Sequence, residues 1–114
     1  MGSTASEITC EQLERMMVDG RVPIFDVRNP DELENGKIVG SVNIPVDKVK
    51  DAFSLDAENF QDQFGAEKPK LESMLVFYCR AGRRGNTAMT IARDLGYTRA
   101  VNVIGGFQEW TGED

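Results

Sequence analysis

Leu75-Val76-Phe77-Tyr78-Cys79-Arg80-Ala81-Gly82-Arg83-Arg84-Gly85 runs an apolar tetrad into a thiol and then into a turn rich in glycine and arginine. Beyond it Ala88, Ile91, Ala92 and Leu95 recur at i, i+3, i+4 and i+7, and Gly96 follows as a C-terminal glycine, so the turn opens an amphipathic helix. Strand, turn and helix in that order make a βα unit. Cys79 then sits at the carboxyl end of a buried strand, where open parallel sheets bind their ligands. The turn aims backbone N–H groups and the positive end of a helix dipole at one point, and Arg80, Arg83 and Arg84 add guanidinium groups. Such surroundings favour a thiolate over a thiol and make Cys79 the candidate nucleophile.

Working outward, the same alternation recurs. Ile8-Thr9 reads as an extended entry, and Thr9 with Gln12 has capping-box spacing for a helix carrying Leu13, Met16 and Met17 as core fillers. Pro23 to Val27 is a compact apolar strand, and Asn29-Pro30-Asp31-Glu32 begins a short helix to about Asn35 whose acids face water. Ser41 to Ile44 is another strand, Pro45 opens a helix with Val46, Val49 and Phe53 inward, and a further helix spans about Asp56 to Phe64. Val101 to Val103 gives a last strand, and Gly105-Gly106 a turn into a helical turn anchored by Trp110. Strands alternating with helices predict an α/β fold, a mostly parallel sheet with helices on both faces.

At 114 residues the chain fits one domain, and we expect a flexible tail over 1–6 and a single domain over 7–112. Met1 to Ser6 fits the loose N-myristoylation pattern as well as a short polar tail or an expression remnant. With 28% charged residues and no apolar run of membrane-spanning length, a soluble and, for want of any address, cytoplasmic protein is expected. A net charge of −6 argues against general nucleic-acid binding, whereas a basic loop on an acidic chain suits a small anion. Zero histidines and two distant cysteines predict no metal, no cofactor, no disulfide framework and no Cys-His catalysis. Cys10 lacks flanking arginines and reads as structural.

Spacing narrows what Cys79 does. Cysteine phosphatases need an arginine six positions after the cysteine, and that position is Gly85. A nucleotide-binding loop needs Gly-x-x-x-x-Gly-Lys, and Gly82-Arg83-Arg84-Gly85-Asn86-Thr87 lacks both the spacing and the lysine. What remains is a six-residue cradle sized for one extra sulfur atom.

Asp26-Val27-Arg28-Asn29-Pro30 with Glu32, the run from Gly36 to Pro45, Cys79 to Arg84, and Gly105-Gly106-Phe107 through Trp110 together resemble the single-domain rhodaneses, over about residues 7–112. The stretch from Cys79 to Gly85 with Leu95-Gly96-Tyr97 is most similar to the small thiosulfate:glutathione sulfurtransferases and the heat-shock-named rhodanese proteins of that family. The resemblance implies a five-stranded rhodanese-like fold and a persulfide intermediate. Lys37 stands where the family commonly has histidine, and Ala81 where some members carry a lysine, which shifts the cationic role to Arg83 and Arg84.

The implied activity is a thiosulfate sulfurtransferase. Cys79 takes sulfur from a thiosulfate-like anion and passes it to a thiol, with glutathione a candidate, or to cyanide. Arg28, Arg80, Ala81, Gly82, Arg83 and Arg84 are the candidate substrate-binding residues. Asp26 supports by orienting Arg28 or the loop, and a structural Asp26–Arg28 ion pair is the other reading of those two. The alternative function is a module that relays sulfur to a protein acceptor, or a stress or redox partner-binding module, without turnover on small thiols.

Overall fold

The computed structural model describes residues 6–112; Met1 to Ala5, with most of the expected tail and its acylation pattern, lie outside the described residues. Five strands form one sheet: β1 (Glu7–Ile8), β2 (Ile24–Asp26), β3 (Val42–Asn43), β4 (Leu75–Tyr78) and β5 (Ala100–Val103), in the order β1-β5-β4-β2-β3 with every pairing parallel. The helices α1 (Cys10–Asp19), α2 (Val49–Ala52), α3 (Ala57–Phe64) and α4 (Arg83–Asp94) lie in the crossovers that parallel pairing requires, and α5 (Gly106–Thr111) follows the last strand.

The period-two strand alternation divides the core between two faces. Phe25, Val27, Leu75, Phe77 and Ala100 pack with α2, α3 and α4, while Ile24, Val76, Tyr78, Val101 and Val103 pack with α1 and α5. On the first face Phe25, Phe53, Phe60 and Phe77 meet with ring centroids 5.2–6.3 Å apart. Each such side chain, once buried, contributes about 1.5–3 kcal/mol. The three interior strands, β5, β4 and β2, are buried on both faces, which is why Leu75 to Tyr78 reads as a continuous apolar run instead of an alternating one.

Local signals place the ends of elements. Thr9 accepts the Gln12 N–H at 3.1 Å while the Gln12 side chain accepts the Thr9 N–H at 2.8 Å, the expected capping box. Two helical expectations change form. The segment after Asn29 is a 3-10 helix, Pro30–Asn35, opened and closed by i→i+3 bonds, Glu32 N–H to Asn29 O at 3.0 Å and Gly36 N–H to Leu33 O at 2.9 Å. The helix opened by Pro45 splits into a 3-10 turn, Val46–Lys48, and the four-residue α2. Ser6 does not dangle: its carbonyl accepts the Asn102 N–H at 2.9 Å, extending the pairing of β1.

Candidate active site

Cys79 is the first residue beyond β4, and by strand parity it faces the α4 side of the sheet, 1% exposed. Its Sγ accepts the Gly82 N–H at 3.0 Å. The chain returns on the sulfur so tightly because Gly82 adopts φ 118°, a conformation that L side chains rarely take. The loop carbonyls are turned outward: Cys79 O accepts the Phe107 N–H at 2.8 Å and Arg80 O the Gln108 N–H at 2.9 Å, both from the first turn of α5. A trans peptide sets its N–H opposite its carbonyl, so the N–H groups of Arg80 and Ala81 point away from α5. Gly106 permits this docking, since a Cβ there would lie 2.3 Å from Cys79 O.

The arginines separate into three environments. Arg80 and Arg83 are exposed, and among the described residues neither has an ion-pair partner. Arg84 is half-buried and forks onto Glu32, Nη1 to Oε2 at 2.6 Å and Nη2 to Oε1 at 2.9 Å. The hydrogen bonds from Arg84 hold the Glu32 carboxyl at about 2, well below its usual 4.5, with the Asn29 N–H at 2.9 Å assisting. In return Glu32 raises the Arg84 guanidinium, and the nearby Cys79 sulfur acts in the same direction.

Arg28 is placed in the structural ion pair. It is 3% exposed, with Nε on Asp26 Oδ1 at 2.9 Å, Nη2 on Oδ2 at 2.6 Å and on Gly36 O at 2.9 Å, and its guanidinium carbon 4.4 Å from the centre of the Phe107 ring. So held, it has no free edge to offer a ligand. Asp26 also accepts the Arg28 N–H at 3.0 Å and the Tyr78 hydroxyl at 2.7 Å. Tyr78 gives its one proton to that carboxylate, so Ser41 donates to the phenol oxygen at 3.0 Å, as does the Ile38 N–H at 3.0 Å. Burial pushes the phenol up to about 12 and keeps it neutral.

This network draws the Gly36-to-Ser41 loop onto β4. Sequence reading missed it, and it also assigned Glu32 to a solvated helix face. A tyrosine closing an otherwise apolar strand was the one available hint at a buried polar cluster.

Cys10 packs with the opposite face of the sheet, its Sγ donating to Gly106 O at 3.9 Å. Burial, and then Glu109, push its thiol up, which disfavours nucleophilic use. Among the described residues no cluster of three potential metal ligands forms, and no helix is long and apolar enough to cross a membrane. A cleft of about 920 Å³ opens at the other end of the sheet, among Met16, Pro23, Lys68, Met74 and Arg99. It contains no cysteine, so the chemistry belongs to the tight cradle and not to the roomier cavity.

Comparison with known proteins agrees with this geometry. The family described as Rhodanese-like domain matches residues 9–113. The human thiosulfate:glutathione sulfurtransferase is 42% identical over 107 residues, covering 93% of each chain. A human single-domain sulfurtransferase superposes with a TM-score of 0.91 at 40% identity, covering 96% of this chain and 98% of that one. A single-domain sulfurtransferase of Saccharomyces cerevisiae gives 0.82 at 29% identity, covering 97% and 93%.

Proposed function

The chain belongs to the rhodanese-like domain family, and from that premise we propose that Cys79 takes a sulfur atom from a thiosulfate-like anion and hands it to a small thiol, with glutathione the leading acceptor. It is a rhodanese-type sulfurtransferase that works through a persulfide on a single cysteine. The observation that carries the assignment to Cys79 is the 3.0 Å approach of the Gly82 N–H to its sulfur inside an arginine-bearing loop.

The steps balance without a proton shuttle. Cys79 thiolate attacks the outer sulfur of the donor, the bond from that sulfur to the sulfonate breaks, and sulfite leaves with the electron pair. The acceptor thiolate then attacks the outer sulfur of the Cys79 persulfide, which releases Cys79 as a thiolate and the acceptor as its persulfide. Backbone donors of the loop hold the anionic sulfur, and removal of one preorganised donor of this type costs about 3–4 kcal/mol of transition-state stabilisation.

Arg83 and Arg80, exposed and without an ion-pair partner among the described residues, are assigned to the sulfonate end of the donor, with Ala81 and Gly82 contributing backbone. Arg84 frames the site through Glu32. Asp26 and Arg28 brace the loop that follows β2.

Sulfite release from thiosulfate, measured with and without glutathione, tests this. Cys79→Ser is expected to abolish release and to lose the gain of one sulfur atom in intact mass, while Cys10→Ser retains both. Equal release by Cys79→Ser and the parent chain would refute the assignment. A sulfur gain on Cys79 with negligible turnover on small thiols would move the acceptor from glutathione to a protein.

A further inference from the structure

Asn102 lies within β5, 1% exposed, between Val101 and Val103 that serve the opposite core. A buried amide costs on the order of 1–3 kcal/mol wherever its hydrogen bonds go unmade. Asn102 Nδ2 donates to Gly82 O at 3.0 Å, while Oδ1 is buried with no partner among the described residues. That oxygen faces α4, where a Cβ built on Gly85 would come within 2.1 Å of it. Turning the amide over would set its oxygen against the Gly82 carbonyl oxygen, so the donor contact fixes its orientation. Gly85 must therefore be glycine inside a helix, where glycine costs about 1 kcal/mol relative to alanine. Two unfavourable choices, a half-satisfied amide and a helical glycine, serve one hydrogen bond.

The carbonyl that receives it is the pivot of the cradle. Gly82 O also accepts the Asn86 N–H at 3.0 Å as the first bond of α4, and the Gly82 N–H is the group that meets Cys79 Sγ. Across the planar trans peptide, holding this carbonyl toward β5 and α4 aims the Arg83 N–H out of the helix N-terminus.

We propose that Asn102 is a positioning residue of the sulfur site: its amide clamps Gly82 and thereby sets the Gly82 and Arg83 N–H groups against the charge on Cys79. The proposal deepens the sulfurtransferase reading and rests on Cys79 as its nucleophile. Asn102 itself touches no substrate.

The test compares Asn102→Asp, which keeps the shape and removes the donor, with Asn102→Ala, which removes the amide. Two assays are run on each. Alkylation of the Cys79 peptide across pH, followed by mass spectrometry, reads the thiolate without any sulfur transfer, and steady-state sulfite release reads catalysis. Both variants are expected to move the alkylation profile to higher pH and to lower kcat about tenfold, the effect of one hydrogen bond, with KM for thiosulfate unchanged. Gly85→Ala is expected to impair the parent chain but to cost little when added to Asn102→Ala, because the atom it would strike is gone.

A folded variant whose alkylation profile and kcat match the parent overturns the proposal, and so does a loss confined to KM. Failure of both variants to unfold cooperatively also overturns it, since Asn102 would then serve the fold alone. A parent chain that releases no sulfite, in company with shifted alkylation in the variants, refutes the sulfurtransferase reading and leaves the clamp standing.

Discussion

Asp26–Arg28 and Glu32–Arg84 are the same chemistry at two depths. In the first pair the side chains are 3% and 0% exposed and every guanidinium nitrogen is engaged; in the second they are 32% and 28% exposed and border the thiol loop. Depth alone separates their work. A sealed pair has no face left for a ligand and can only brace what surrounds it. A half-open pair beside the cradle sets how much positive charge the loop presents, because Glu32 neutralises an arginine that interacts electrostatically with the Cys79 sulfur.

The contrast can be broken from its deeper side first. Arg28→Ala leaves the Asp26 carboxylate buried without its counter-ion, and chemical denaturation is expected to show a loss of about 3–5 kcal/mol. A loss below about 1 kcal/mol would place this pair with surface pairs and end the distinction.

Tyr78→Phe removes one hydroxyl from the same network and leaves the Ile38 N–H and Ser41 without their acceptor. The expected cost is about 1–3 kcal/mol by the same measurement, with the thiol loop still able to form a persulfide.

Glu32→Gln sharpens the shallower side. Stability should change by less than about 1 kcal/mol, while Arg84 gains a net positive charge at the loop and KM for thiosulfate falls. An unchanged KM would mean that the donor never senses Arg84.

The smallest effect is in pH. The folded Glu32 carboxyl titrates at about 2 against 4.5 for the ordinary group, so the folded state prefers the ionised form. The stability that this pairing contributes is complete above about pH 4.5 and is lost as pH falls toward 2. The difference between the parent chain and Glu32→Gln in denaturation midpoint should therefore be flat above pH 5 and shrink below it.

Elements written in short-range chemistry were legible. The Thr9–Gln12 box, the Pro30 start, the α4 periodicity and the two-sided apolar strands all depend on residues within a few positions of one another, and each appears near its expected place. So does Cys79 at the end of β4, because a strand-to-helix turn carries its own signature. The misses involve partners far apart in the chain. Glu32 and Arg84 lie 52 positions apart, as do Asp26 and Tyr78, and Asn102 reaches Gly82 across 20. Periodicity reports only that Glu32 lies on a polar helix face, and does not say that the face meets an arginine. Two expected helices also took 3-10 form in whole or in part, Pro30–Asn35 and Val46–Lys48, a detail of hydrogen-bond closure that apolar spacing does not encode.

The amino-acid sequence by itself determined the parallel α/β plan, the candidate nucleophile and, with no histidine in the chain, a site activated by fixed charge and backbone donors. Tertiary structure decided which arginines are committed to carboxylates and which, among the described residues, have no ion-pair partner, and it set the Asn102 amide on Gly82 O. The reason is physical: strand and helix preferences act over a few residues, but the availability of a charged side chain depends on what folding brings against it and on how much water is then excluded.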